Sequence, residues 1–539
     1  MMNTMSNKFT SYFRTISVGI TLSTALFFQS CSNRETATEE VGSGEQVQLM
    51  VNIEGIMQEV STDPQAGTKA AGGFATIQAP KEINFTESIK AAASVTQQPM
   101  DQNTGRSIHN AVAATVQLPT QPMTKDYTYR VVMYNVDGSF HSATNFVAGT
   151  PGSIEVSKGQ KYKWIAYSYN NNAAIPAITD NQNPTIATAV DKDLLYASGE
   201  VTIGTSPQGE QLTQALPITF EHKMSKISLA INARGMNATI KDNIAVVMRT
   251  PVSFNQGILD LKTGAMQANG SVNYATGDPI TFQNSAVYGS AVKEAFFYTT
   301  QSTGALNVNL KHNVIDVVID GVSESLIGSG QTVTTDFAAT PAPGKNTNLN
   351  VNLYKIGGTI GGVTWATGNL YYDYGSGQQK IRPSDITRWR GAAYADTDYW
   401  KGLALTPNGT HGQGDPCTKV FPENTWRLPT QADFQILVNR ENDPQTQYDG
   451  NGINNSVSFA ADNGKRVNFN PDGQRGASMS NIPSIGENVY GQYWTSNQAS
   501  GNRYVNFQSG GSSSDVMVNS NGPYSIELNK LNIRCVRNK

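Results

Sequence analysis

Hydrophobic and polar positions alternate in short runs along most of the chain. In "EQVQLMVNIEGI", residues 45–56, Val47, Leu49, Val51 and Ile53 are set against mostly polar neighbours, a period of two that predicts a half-buried strand. Residues 57–107 carry no clean period and are rich in Ala, Gly, Thr and Gln, so they read as a long loop with some helix around Ser88–Val95. Alternation returns in "YTYRVVMYNVDGSF", where Val131 and Met133 lead to Asp137-Gly138, a strong hairpin signal. "SIEVSKGQKYKWIAYSYN" follows the same plan: strand, Lys158-Gly159 turn, strand. From about residue 216, "LPITFEHKMSKISLAINA", "EAFFYTT", "ALNVNLKHN", "VIDVVIDG" and "NTNLNVNLYKIGG" continue the pattern to residue 356. No segment sustains a 3.6-residue period, and short strands at regular spacing predict β-sandwiches.

The texture changes at Gly357. Trp365, Trp389, Trp400, Trp426 and Trp494 are five of the six tryptophans, and all lie in this last third among dense Gly and Asn turns. "TQADFQILVNRE" is the best helix candidate. Phe434, Leu437 and Val438 share a face, with Thr430 as N-cap and Asp433 at the third helical position. A separate domain with its own aromatic core is expected to begin near residue 356.

Length and charge narrow the classes. The 539 residues allow about three or four domains at roughly 100–200 residues each. The net charge of −3 provides no basic field for nucleic acid. Charged residues are 15% of the chain, below the roughly 25% of an average soluble protein. Thr, Ser, Asn, Gln and Gly take their place, which suits turn-rich β structure.

The first residues read as a targeting segment. Lys8 and Arg14 precede an apolar run from Ile16 to Phe28, which is shorter than the ~20 residues that span a bilayer. Phe28-Gln29-Ser30-Cys31 resembles a bacterial lipobox, with Phe28 where Leu is usual. The resemblance implies cleavage before Cys31, lipid attachment to its sulfur and "SNRETATEE" as a tether. Any membrane contact is then through the lipid and can be transient. With Cys31 lipidated, Cys417 and Cys535 remain, and in an oxidising compartment a leftover pair is most simply a disulfide. Two cysteines are too few for a four-cysteine zinc site, and no histidine pair is near.

Two family resemblances follow from motif order. The early strand, "YRVVMYNVDGSF…SIEVSKGQKYKWIAYSYNN", "ITFEHKMSKISLAI" and "PGKNTNLNVNLYKIGG" together resemble the fimbrillin-like (type V pilus) proteins of Bacteroidetes over about residues 31–356. That resemblance implies two tandem transthyretin-like β-sandwich domains. It also implies a removable early strand, cut away after an arginine, whose groove accepts a neighbour's strand by donor-strand exchange. Arg106, in the loop "QNTGRSIHN", is the matching position, and Arg34 competes with it. The last third is similar to the Fibrobacter-succinogenes-type major paralogous domain, through "GGVTWATGNL", "CTKVFPENTWRLPTQADFQIL", "YGQYWTSN" and "IRCVRN". "TKVFPENT" makes the loop after Cys417 longer than usual in that family. This resemblance implies an α+β C-type-lectin-like fold with a first-to-last pairing of Cys417 with Cys535. The expected plan is mainly β: a signal peptide over 1–30, sandwiches over 31–215 and 216–356, and a lectin-like domain over 357–539.

Enzymatic constellations are missing from the sequence. His109, His141, His222, His312 and His411 are scattered, with no HExxH, no G-x-S-x-G elbow and no P-loop. The formylglycine-type enzymes on a related fold use a reactive cysteine pair, whereas here both cysteines fall in structural motifs. An enzyme is therefore not expected, and no cofactor. Asp449, Asn451 and Asn455 place oxygens at near-alternate positions of a glycine-rich loop, a weak calcium candidate without the closing glutamate of an EF-hand. Tyr371, Tyr372, Tyr374, Trp389 and Trp400 lie in Gly-rich or polar segments and are candidate contacts to a glycan or protein, while Trp426 and Trp494 are expected in the core.

These readings combine into an exported fimbrial accessory or tip subunit, assembled with other fimbrial subunits, whose C-terminal domain adheres to a host or bacterial surface glycan or protein. A chain ending in a globular domain, with no strand to donate, would cap a polymer. The alternative is a surface lipoprotein receptor that never polymerises. The third is an enzyme on the formylglycine-type fold.

Overall fold

A computed structural model describes residues 45–57, 75–100, 120–205, 212–302, 304–383, 397–440, 442–448, 456–470, 475–476, 490–497, 504–508, 515–519 and 529–538. Up to residue 235 the strands are β1 (Gln46–Met57), β2 (Ala75–Asn84), β3 (Ile89–Pro99), β4 (Thr120–Gln121), β5 (Thr128–Asn135), β6 (Phe140–Val147), β7 (Gly152–Ser157), β8 (Lys161–Ser168), β9 (Thr185–Ala187), β10 (Leu195–Thr202), β11 (Thr213–His222) and β12 (Ser225–Gly235). The protein is mainly β, as the alternation predicts.

The first unit has two layers. One places β1 between β11 on one side and β7 and β4 on the other; the second runs β10-β8-β5-β6. They meet where Leu195 pairs with His222 and Tyr196 with Glu221. Leu49, Val131, Trp164, Ala166, Ile218 and Phe220 are buried in one core drawn from both layers. The hairpin predicted at Asp137-Gly138 joins β5 to β6, and Gly138 supplies the positive φ (86°) that the turn needs. The Lys158-Gly159 turn has a different role. It carries the chain between layers, because β7 pairs with β1 and β8 pairs with β5 and β10.

The second unit corrects the reading of residues 57–107. The segment expected to be partly helical, Ser88–Val95, holds strand β3, paired with β2 and with the strand Lys345–Ile360. Ile89, Ala91, Ala93 and Val95 alternate into the core. Three of the residues between Ile89 and Val95 are alanines, good helix formers, but eleven register pairs from Lys345↔Pro99 to Lys355↔Ile89 override local propensity. Residues 75–100, placed by sequence in the first sandwich, thus belong to the sheet of the second. That layer runs β2, β3, Lys345–Ile360, β12, Gly289–Thr299 and Gln283–Ser285. It faces strands that include Ala245–Met248, Val252–Asp260, Leu306–Val314 and Val333–Ala339, over a core with Leu229, Phe254, Val308, Phe337 and Leu349.

The two units share an apolar seam. β9 pairs with Val252–Asp260, and Val132, Tyr134, Tyr167 and Leu194 pack with Met224, Leu259 and Leu261. Beside the seam, His222 Nδ1 is 2.7 Å from Asp193 Oδ2, with both side chains buried. Burial by itself would raise the Asp193 pKa. The charge and hydrogen bond of His222, with bonds from the Leu194 N–H and the Asn170 amide, hold it below the usual carboxylate range.

No linker separates the third unit. The strand Lys345–Ile360 leaves the second sheet and continues across the expected boundary at residue 356, pairing there with Val363–Ala366, which pairs with Val536–Asn538. One core collects Trp400, Trp426, Trp494, Cys417 and Cys535. Another collects Trp365, Phe434, Phe459, Phe469 and Phe507. The helix α1 (Gln431–Val438) buries Phe434 and Leu437, with Val438 half-buried at the edge.

Candidate functional site

Two regions can do recognition work: the slot that β1 fills, and a tyrosine cluster in the third unit. β1 runs parallel to β11 from Gln48↔Thr213 to Ile53↔Ile218. On its other side it runs antiparallel to β7 from Gln46↔Ser157 to Val51↔Gly152, then meets β4 at Ile56↔Gln121. Val47, Leu49 and Ile56 are buried. At Gly55 the register shifts and φ is 138°; a Cβ there would stand 2.6 Å from the Gln121 carbonyl oxygen. Polar contacts flank the strand: on the outer face Ser153 Oγ donates to Gln48 Oε1 at 2.6 Å, and just before β1 the Nζ of the buried Lys158 lies 2.7 Å from Glu45. β1 is thus held by main-chain bonds on both edges, and its alternate apolar side chains fix its register.

In the third unit, Leu370–Asp373 pairs with Gln378–Ile381. The Asp373 carboxylate holds the turn between them, accepting from the Gly375 N–H at 3.0 Å, Ser376 Oγ at 2.8 Å and Lys380 Nζ at 2.6 Å. These bonds, the one from Lys380 foremost, pull its pKa down to about 2. Successive strand residues face opposite sides. Tyr371 lies under Arg382, 3.8 Å from the ring centroid, and Arg382 forms a fork onto Asp398 with contacts of 3.0 and 2.6 Å. Burial pushes the Tyr371 hydroxyl pKa up. Tyr372 meets Tyr374 edge to face at 4.8 Å. Tyr374 is 54% exposed, and Asn408 Nδ2 donates to its hydroxyl at 3.3 Å while Lys530 Nζ donates to Asn408 Oδ1 at 2.5 Å.

The other nominated residues divide. Trp400 is a correction: it is fully buried, its indole N–H donates to the Leu370 carbonyl at 3.1 Å, and its backbone bridges to Leu531. It is a core residue and offers no face to a ligand. Trp426 and Trp494 are buried too. Cys31, Arg34, Arg106, Trp389, Asp449, Asn451 and Asn455 lie outside the described residues.

The cysteine-bearing stretch is built as a clasp. Cys417 and Cys535 are disulfide-bonded, with Cα atoms 5.8 Å apart. Asp415 caps the short turn at Pro416–Lys419 by accepting from the Cys417 N–H at 2.8 Å, and its other oxygen accepts from the Leu428 N–H at 2.7 Å. Burial raises the Asp415 pKa despite these bonds. Arg427 and Val536 exchange backbone hydrogen bonds of 2.8 and 2.9 Å, which ties the next segment to the strand after Cys535. Arg427 then forks onto Asp433 at 2.7 and 3.1 Å, and Thr430 and Asp433 form the reciprocal capping box of α1. Beside them Arg534 is fully buried. It donates to the carbonyls of Ala366 and Asn468 at 3.1 and 2.5 Å, and burial pulls its pKa down to about 9.

A further cluster escaped the sequence. Glu82, at the end of β2, accepts from Tyr354 Oη at 2.8 Å and lies 2.7 Å from Arg537 and 3.1 Å from Lys90. Nothing local marks these residues, because they come from four separate segments.

No family model matches the chain, and no curated protein matches it. Solved structures do. A candidate cell-adhesion protein from Bacteroides fragilis is 13% identical, covering 57% of this chain and 92% of its own, with a TM-score of 0.32. A fimbrial anchor protein from Porphyromonas gingivalis is 15% identical, covering 42% of this chain and 77% of its own, at 0.22. A fimbrial assembly protein from Parabacteroides distasonis is 12% identical, covering 48% of this chain and 94% of its own, at 0.23. Likenesses this distant establish neither family membership nor activity.

Proposed function

We propose that the protein is an exported surface-adhesion protein, a fimbrial accessory or tip subunit. It joins other subunits through the slot of β1 and presents its third unit to a glycan or protein. The observation that carries this reading is the place of β1. It sits inside a sheet, bonded on both edges, beside a parallel neighbour distant in sequence. A strand of another subunit with the same alternation could satisfy the same groups. The adhesive part of the reading is supported by the half-exposed Tyr374, buttressed by Tyr372 and set beside the Asn408 amide. An aromatic face next to an amide suits a sugar ring or a protein loop. The lipobox-like segment at Cys31 supports export. A glycan array probed with the full chain and with Tyr374→Ala tests the adhesive part: binding lost in the variant supports it, and equal binding by both removes the cluster from consideration.

A specific observation favours the second reading, a surface lipoprotein receptor that does not polymerise. The β2–β3 hairpin lies between β1 and Arg106 in the chain, and it is part of the second unit. Cleavage at Arg106 would therefore not isolate β1. The mass of the mature protein separates the readings. Absence of any β1 peptide from the mature protein supports strand exchange; a lipidated Cys31 with β1 retained supports the receptor.

A further inference from the structure

We infer that the β2–β3 hairpin is a docked strand pair which keeps the N-terminal segment on the second unit after a backbone cut at Arg106, so that such a cut frees neither β1 nor the hairpin. The inference rests on the strand-exchange reading only for the choice of Arg106 as the cut.

The pairing runs almost to that position. β3 makes eleven register pairs with Lys345–Ile360, and the Met100 N–H still donates to the Gly344 carbonyl at 2.9 Å. Phe85, Ile89, Ala91, Ala93, Val95 and Met100 are buried. The hairpin also reaches the third unit. The Ser88 carbonyl accepts from the Ile356 N–H at 2.8 Å, Ser88 Oγ accepts from Lys465 Nζ at 2.7 Å, and Glu82 holds Arg537. Ala92 packs against the core around the disulfide. These contacts are non-covalent, made with segments far from Arg106, and none of them depends on the peptide bond after it. In a nicked protein the hairpin is in the position of a donated strand: main-chain bonds along one edge, alternate side chains in a preformed core.

The consequence concerns how the β1 slot can open. Arg34 precedes β1 and Arg106 follows β3, while residues 58–74, which join β1 to β2, contain no arginine. A protease specific for arginine thus reaches no bond that separates β1 from the hairpin. Arginine cleavage therefore leaves β1 tethered to a docked pair, and an incoming strand has to displace β1 from its slot while that tether holds.

The test uses the full chain with a recognition sequence for a site-specific protease inserted after Arg106. After cutting, native gel filtration with mass spectrometry is expected to recover both pieces in one peak, separating only in denaturant. Elution of the N-terminal piece by itself would overturn the inference. A second insertion within residues 58–74 allows β1 and the hairpin to be scored apart. After both cuts the hairpin piece is expected to stay with the body, and its departure would overturn the inference as well. Uptake of a labelled peptide of residues 45–57 by the doubly cut protein reports on strand exchange separately. Its failure counts against that reading and does not move the hairpin result.

Discussion

Arg537 and Glu82 lie near opposite ends of the described chain, and their side chains meet at 2.7 Å on the carboxylate oxygen that also accepts from Tyr354 Oη at 2.8 Å. Arg537 also bonds that Tyr354 hydroxyl and stands over its ring. The contact joins a hairpin, the strand that crosses from the second unit to the third, and the last described strand. Burial would raise the Glu82 pKa, but the bond from Tyr354 and the charges of Arg537 and Lys90 bring it below the usual carboxylate value. A depressed pKa means stability that is present above the unfolded-state pKa and is lost as pH falls through the folded-state one. Glu82→Gln is therefore expected to destabilise by about 1 kcal/mol at neutral pH, a modest figure because the carboxylate is part exposed. The difference should shrink below about pH 4. Urea melts of both proteins across pH 3–7 (roughly the span of carboxylate titration) measure it. A deficit that does not change with pH would assign the effect to packing.

The disulfide between Cys417 and Cys535 closes a long stretch of chain. Replacing both cysteines by alanine should cost ~2–5 kcal/mol, read from the transition of the third unit in denaturant. The β1 slot lies in another unit, so amide exchange there should not change.

Thr430→Ala removes one half of the capping box of α1 and is expected to cost ~1 kcal/mol. Asp433→Ala should cost more, because Asp433 also accepts the Arg427 fork. That fork sits one residue before Leu428, which bonds Asp415, so the loss should spread to the clasp. Thermal unfolding of the two variants gives the order, and an equal or reversed order contradicts it.

Two aromatic substitutions should separate binding from stability. Tyr374→Ala is expected to weaken ligand binding tenfold or more, about 1.4 kcal/mol, with little change in unfolding. Trp400→Ala should destabilise by roughly 3–5 kcal/mol, since the ring is fully buried and hydrogen-bonded to Leu370. Parallel binding isotherms and melts check the split.

These residues also show what the sequence could disclose. Val47, Leu49, Val51 and Ile53 announce β1 because they alternate with mostly polar neighbours on a strand with one wet face. Thr430 and Asp433 announce the start of α1 because a capping box is local. Ile89 to Val95 was illegible for the opposite reason: the alanines favour helix, and the partner that makes a strand of them lies at Lys345–Ile360. Trp400 has Tyr399 on one side and Lys401 on the other, and only the assembled core shows which way it turns. The Lys158-Gly159 turn was legible as a turn, but not as a step between layers, since both outcomes use the same four residues. The Glu82 cluster had no local trace at all.

We propose the β1 slot as the place where this protein joins its partners. Gln48 and Thr213 are register partners across β1 and β11, both on the exposed face. A Gln48→Cys, Thr213→Cys variant locks β1 in place when oxidised and releases it when reduced. Incorporation of this protein into surface fimbriae, compared with and without reductant, is the direct measurement. The oxidised protein is expected to bind ligand through its third unit but fail to assemble, and reduction is expected to restore assembly. Equal assembly with β1 locked and unlocked would contradict it.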